Sequence, residues 1–249
     1  MTQAPSATRL FDRAIIRLSP LDEGEDIAAF LQGLVTNDVS GDLPAYAALL
    51  SAQGKAMFDF LIWPGEDDSL LIDCEAALAD DLVKRLSLYR LRRKIAIERD
   101  EAAGVFWQPK LGVGGTPDPR LGELGQRWLG PADDADEAAD DEWRKHRLSL
   151  GVPEGSVELS DILWLETNAV ELNGVSFDKG CYIGQENTAR MNWRQKVNRR
   201  LVVVPLDRST EKRQKAAYPD LGYAVDHLRV ADIDPAIAPD WMKLFSDET

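Results

Sequence analysis

Residues 177–186 read Phe177-Asp178-Lys179-Gly180-Cys181-Tyr182-Ile183-Gly184-Gln185-Glu186, and the reading of the whole chain turns on them. Two glycines bracket a Cys-Tyr-Ile core. Glycine permits positive φ and close backbone approach, so such a loop can hold Cys181 in an exposed turn. Lys179, two residues earlier, and a helix start near Gly184 are both placed to lower a thiol pKa. A thiolate favoured in this way attacks electrophiles or ligates iron or copper. A free cysteine is also commonly a small buried hydrophobe, and spacing alone favours that reading slightly.

Working outward, Arg190, Arg194, Lys196, Arg199 and Arg200 surround Trp193 just downstream. Arginine forks match carboxylates or phosphates, and an indole stacks on flat heterocycles, so the stretch suggests an anion site. It reads equally well as a basic hairpin paired with the protein's own acidic run, Asp133 to Glu142. That run has no regular ligand spacing and is expected to be a solvated loop or an exposed helix start. Upstream, Asn173-Gly174 marks a turn, and the spacing predicts a helix over Ile162 to Leu172.

The N-terminal half is more legible. Ala14 to Leu18 is a β-branched run, closed by Ser19-Pro20, and predicts a strand. Ile27, Phe30, Leu31 and Leu34 recur at helical spacing, which predicts a short helix over Glu25 to Leu34. Tyr46–Ser51 and Ala56–Trp63 flank Gln53-Gly54-Lys55 as a hairpin, and Leu70 to Ile72 adds a third strand. Leu78, Leu82, Val83, Leu86 and Tyr89 share one face of a helix over Glu75 to Tyr89, and Lys94 to Glu98 alternates as a strand. The order β-α-β-β-β-α-β is that of an α+β layer. After Pro117 only the strand Leu201–Val204 and weaker strands before Trp241 stand out.

Composition narrows the function. The 249 residues carry 29 Lys+Arg against 43 Asp+Glu, a net charge of −14, with 44% apolar residues. This is a folded globular composition that disfavours stable, sequence-blind DNA binding. Two cysteines and two histidines, without CxxC or HExxH spacing, give no metal site and point to a reducing compartment. No segment reaches the ~20 apolar residues of a membrane helix, so a cytoplasmic location is expected.

The stretch from Gly174 to Glu186, with Ala189-Arg190, resembles the signature K-G-C-[FY]-x-G-Q-E…R of the YgfZ-type folate-binding proteins, relatives of the glycine-cleavage T protein. Phe30 to Val39 resembles that family's F-L-Q-G-x-x-T-N-D-V, and Gln53 to Phe60 resembles its G-K-x-x-x-D hairpin. The resemblance runs from Ala14 to Val204. It implies a T-protein-like α+β fold, with lobes over 1–104 and 105–198 around a central folate pocket and a shortened β-barrel segment over 199–249. It implies tetrahydrofolate as cofactor, free or polyglutamylated, and support of iron–sulfur cluster assembly or repair, with tRNA modification affected indirectly. Iron–sulfur client or assembly proteins are the partners it implies.

By the same resemblance, Cys181 and Lys179 are the candidate reactive pair. Asn37, Asp59, Glu166, Asn168, Gln185 and Arg190 are the candidate folate contacts. A carboxylate at Glu166 suits the two parallel donors on a pterin edge, although a surface helix carboxylate is the plainer alternative. The glutamate tail is expected to reach towards Arg190, Arg194 or Lys196. Three positions depart from the family pattern: Trp164 stands for a proline, Gln195 for a glycine, and Asp59 is the sole acid of a hairpin pair. The lone Asp59 weakens a second reading, folate-dependent one-carbon transfer, since a general acid or base is needed at the reacting nitrogen. A third reading, an RNA-binding module built on Arg190–Arg200, is opposed by the net charge.

Overall fold

The computed structural model describes residues 8–112, 114–193 and 197–244. A two-residue strand, β1 (Arg9–Leu10), leads directly into β2 (Arg13–Pro20). Helix α1 (Ile27–Gln32) starts where the Asp26 carboxylate accepts the Ala29 N–H at 2.8 Å, an ordinary N-cap. The hairpin strands β3 (Ala45–Leu50) and β4 (Ala56–Pro64) follow, then β5 (Leu70–Glu75), α2 (Ala79–Arg90) and β6 (Ile95–Arg99). From β2 to β6 the order along the chain is the one read from the sequence, and β1 is an addition to it. The five strands align antiparallel as β3-β4-β5-β2-β6.

This sheet is covered on both faces, which is why all of β3 is buried. Alternate side chains divide between two cores. Ala47 and Leu49 join Ile16, Phe30, Leu31 and Leu86 beneath the helices. Tyr46, Ala48 and Leu50 join Trp63, Trp164 and Leu165 on the opposite side. Helix α2 offers Ala79, Leu82 and Leu86 to the sheet, with Asp80 and Asp81 in its first turn and Arg90 in its last, as the helix dipole favours.

The second layer is built from β7 (Ala103–Gln108), β8 (Thr116–Pro117) and β9 (Gln126–Pro131), and it recruits β1 from the start of the chain in the order β1-β7-β9-β8. Helix α3 (Asp140–Ser149) and the single turn α4 (Ser156–Leu159) pack on it. The acidic run is an irregular stretch leading into α3, and among the described residues Arg190 and Arg200 pair with Glu186 and Glu171 rather than with it. Its Asp136 takes Arg9 at 2.6 Å, and Asp140 accepts the N–H groups of Phe11 and Asp12 at 3.1 and 2.8 Å. It fastens the N-terminal strand instead.

The helix expected over Ile162 to Leu172 does not form. One 3-10 turn, Trp164–Thr167, is stopped by Asn168 in the left-handed region at φ +66°. The Asn168 side chain donates to the Leu201 carbonyl at 2.9 Å, so tertiary bonding overrides local helical spacing. Helix α5 (Gln185–Trp193) then begins directly after Gly184. The C-terminal unit is a three-stranded antiparallel sheet, with β10 (Arg199–Pro205), β11 (Gln214–Tyr218) and β12 (Tyr223–Arg229) in the order β10-β12-β11.

Candidate functional site

The Lys179–Glu186 loop is pinned at both ends. Lys179 Nζ donates to the Gln32 carbonyl at the C-terminal end of α1 and to the Val35 carbonyl in the turn beyond it, at 2.5 and 2.6 Å. Carbonyls left over at a helix end are natural partners for an ammonium. Burial draws the Lys179 pKa down to about 8, with Asp38 opposing the shift. Lys179 therefore spends its charge on α1. At the other end, Gly184 sits at φ +81°, where a Cβ would lie 2.5 Å from the Ser51 carbonyl oxygen. Only glycine lets the start of α5 close on the hairpin turn, where Asn187 also donates to the Gln53 carbonyl at 2.8 Å.

Between these anchors Gly180 takes φ +96° with open space around it, and the next residue, Cys181, is exposed. Tyr182 is buried behind it, with the Lys179 ammonium 5.1 Å from its ring centroid. Cys74, by contrast, is buried on β5, and desolvation pushes its thiol up to about 12. The two cysteines thus divide the alternatives: one is a core residue, the other an accessible sulfur.

The segments that carry the motifs meet. Thr36 Oγ1 donates to the Gly174 carbonyl at 2.7 Å, and the Ser176 N–H donates to the Thr36 carbonyl at 3.0 Å. The Trp164 N–H donates to the Gly54 carbonyl at 2.9 Å, and its indole donates to Gly174 at 2.9 Å. The individual side chains take different parts. Asn37 holds the Tyr46 and Asn173 carbonyls at 2.8 and 2.7 Å. Asn168 holds the Leu201 carbonyl and accepts from Arg200 at 3.1 Å. Both amides are consumed by the fold. Glu166, which is buried, bonds His227 on β12 at 2.9 Å through one oxygen; its second oxygen has no partner among the described residues. Gln185 opens α5 half-exposed, and Arg190 is exposed one turn beyond Glu186, which it pairs with at 3.1 Å. Arg194, Gln195 and Lys196 lie outside the described residues.

Asp59 faces inward under the Tyr46 hydroxyl at 3.3 Å. Burial raises its pKa to about 6, although Arg13 pulls the other way. A cavity that it helps to line holds about 10 Å³, room for one water molecule at most.

Sequence reading missed the largest polar feature, a buried network at the junction of the two layers. Arg13 and Arg127 share Asp73 at 2.6 and 2.9 Å. Arg120 joins Asp118 to Glu154 at 2.7 and 2.5 Å, and Arg147 holds Glu158 at 2.7 Å. The Trp143 indole donates to Glu154 at 2.8 Å and lies 4.3 Å from the Arg127 guanidinium. Cationic neighbours hold the Glu154 and Asp118 carboxyls below their ordinary range, although desolvation pushes the other way. These residues are spread from 13 to 158, so no local motif announces them.

No protein-family model matches the chain. Among curated proteins it is 34% identical over 235 residues to the human mitochondrial iron–sulfur cluster assembly factor IBA57, covering 79% of this chain and 65% of the relative. The mouse protein of the same description matches at 34% over 239 residues, covering 80% and 66%. A Neurospora crassa homologue matches at 30% over 233 residues, covering 78% and 52%. The chain thus spans less than two thirds of the length of each of these relatives. Among solved structures, the glycine cleavage system aminomethyltransferase T from Bartonella henselae superposes with a TM-score of 0.64 at 12% identity, over 91% of this chain and 79% of that one. The expected cytoplasmic location is corrected by these relatives, which are mitochondrial proteins. Composition could not show this, since a reducing interior is common to more than one compartment. In sequence the chain is similar to the IBA57 iron–sulfur cluster assembly factors over part of their length, and in architecture it has the fold of the glycine-cleavage aminomethyltransferase.

Proposed function

We propose that this protein supports the assembly or repair of iron–sulfur clusters, with Cys181 as the group that meets iron or sulfur. One observation carries the reading: the accessible thiol of Cys181 stands on a loop tied down on one side by Lys179 and on the other by Gly184. A sulfur that is rigidly supported yet open to a partner suits a ligand or a reactive thiolate. Iron–sulfur client or assembly proteins are the partners this implies, and iron–sulfur-dependent tRNA modification is a downstream process it would serve. The names of the similar proteins support the role.

Tetrahydrofolate is the ligand we infer beside this function, in line with the YgfZ-type resemblance. The fit is partial. The Glu166 oxygen that has no partner among the described residues suits a pterin donor edge, and Gln185 and Arg190 lie accessible on α5, whereas the Asn37 and Asn168 amides are already spent. The one-carbon transferase reading has less support, because the hairpin offers Asp59 as its sole acid, already bonded by the Tyr46 hydroxyl.

The test is complementation of cells lacking this function with Cys181→Ala. The variant is expected to fold with an unchanged Tm and to leave iron–sulfur enzymes inactive; full complementation would sink the role of the thiol. Calorimetry with reduced folate separately tests the ligand. Binding near the micromolar level, about −8 kcal/mol, is expected, and Glu166→Gln should weaken it.

A further inference from the structure

The three-stranded sheet turns one face towards the body of the protein, and that face changes character along its length. Leu201, Val203 and Val225 are buried in the central core. Continuing in register, Leu201 pairs with His227, and Arg199 stands directly opposite Arg229 on the neighbouring strand. Like charges facing each other across an antiparallel pair are unfavourable for folding. Two arginines in that register therefore need an account other than stability.

These residues line a cavity of about 550 Å³ between the sheet and Ile162, completed by Lys212, Arg213 and Lys215 from the β11 side. No carboxylate is among its described lining residues, in a protein of net charge −14. Arg213 pairs with Asp232 at 3.1 Å, and Lys215 donates to the Ser160 carbonyl at 3.1 Å, so two of the cations are positioned by the fold. The volume falls in the range of pockets for small organic ligands. Guanidinium forks at one wall and ammonium groups at the other match a ligand with several phosphate or carboxylate groups.

We propose that this groove binds a small polyanion, a molecule carrying clustered phosphates or carboxylates, at a site separate from Cys181. Calorimetric titration of the full chain with sodium tripolyphosphate and, in parallel, citrate tests this and distinguishes the two sources of charge. At least one of the two is expected to bind, with affinity falling as salt rises. Arg199→Ala/Arg229→Ala is expected to weaken binding about tenfold or more, while Lys84→Ala/Arg92→Ala, which removes the same charge elsewhere, leaves it unchanged. The first variant is also expected to keep or raise the Tm without ligand, because it relieves the opposed arginines. Should it fail to fold, Lys212→Glu, on an exposed loop, provides the same test. Absence of binding by the unaltered protein to both probes, or equal losses in the groove and control variants, overturns the proposal.

Discussion

The Lys179 ammonium lies 2.6 Å from the Val35 carbonyl oxygen, so a residue of the cysteine loop ties down the turn that follows α1, 144 positions earlier in the chain. Lys179→Met leaves the Gln32 and Val35 carbonyls without their donor. A loss of about 2 kcal/mol in urea unfolding is expected, as for charged hydrogen bonds that are partly exposed. An unchanged midpoint would show that Lys179 does not anchor the loop.

The cysteines should separate chemically. In the native protein iodoacetamide is expected to modify Cys181 and spare Cys74, which is buried with its thiol pushed up to about 12. In denaturant both should react. Mass spectrometry of tryptic peptides reads the result, and native labelling of Cys74 would contradict the burial.

Gly184→Ala should be costly for two reasons, the positive φ and the 2.5 Å approach of a Cβ to the Ser51 carbonyl oxygen. A loss of about 2 kcal/mol or more is expected, with slower rescue of iron–sulfur enzymes in cells. Gly180→Ala meets open space and should cost only its backbone strain, on the order of 1 kcal/mol. Equal effects of the two substitutions would refute the close packing of α5 on the hairpin.

Asp59 makes stability depend on pH in an unusual direction. Its folded pKa of about 6 lies above its unfolded value, so the folded state holds the proton longer. Stability associated with Asp59 is therefore lost as pH rises from about 4 to 6. Asp59→Asn is expected to raise stability near pH 7 by on the order of 2 kcal/mol and to change little near pH 4. Denaturation at the two pH values decides it; a variant destabilised at both would refute the assignment.

Breaking the buried network should be more damaging than any surface change. Glu154→Gln leaves Arg120 and Arg127 short of a counter-charge, and a loss of about 3–5 kcal/mol is expected. Arg144→Ala, whose partners Asp12 and Asp141 are exposed, should cost less than about 1 kcal/mol. Chemical denaturation of the two variants side by side gives the comparison.

The contrast between halves explains what the sequence made legible. In the first half, local period and fold agree: Leu82 and Leu86 recur at helical spacing and are buried by it, and the hairpin around Gln53-Gly54-Lys55 sits where its turn residues place it. In the second half, local and tertiary preferences part. Ile162 to Leu172 has helical spacing, but Asn168 leaves the helix to bond Leu201. At the site, the Cys181 loop, with its glycines and following helix, could be read from residue types alone. Lys179 could not be placed, because its partners are backbone carbonyls and carry no residue signature. The network of Arg13, Arg120, Arg127 and Arg147 was hidden for a related reason, since each charge finds its partner only after the layers meet.

The pairing of Arg9 with Phe106, and of Leu10 with Val105, bears on how the protein is made. The Ala139 N–H reaches back to the Arg9 carbonyl at 2.8 Å, so the opening strand is bounded on both sides by segments that leave the ribosome much later. During synthesis the five-stranded sheet can form first, while residues before Arg13 wait for a seat. Docking of that waiting strand is then a late event in biogenesis, and an interval in which helper proteins can hold the nascent chain.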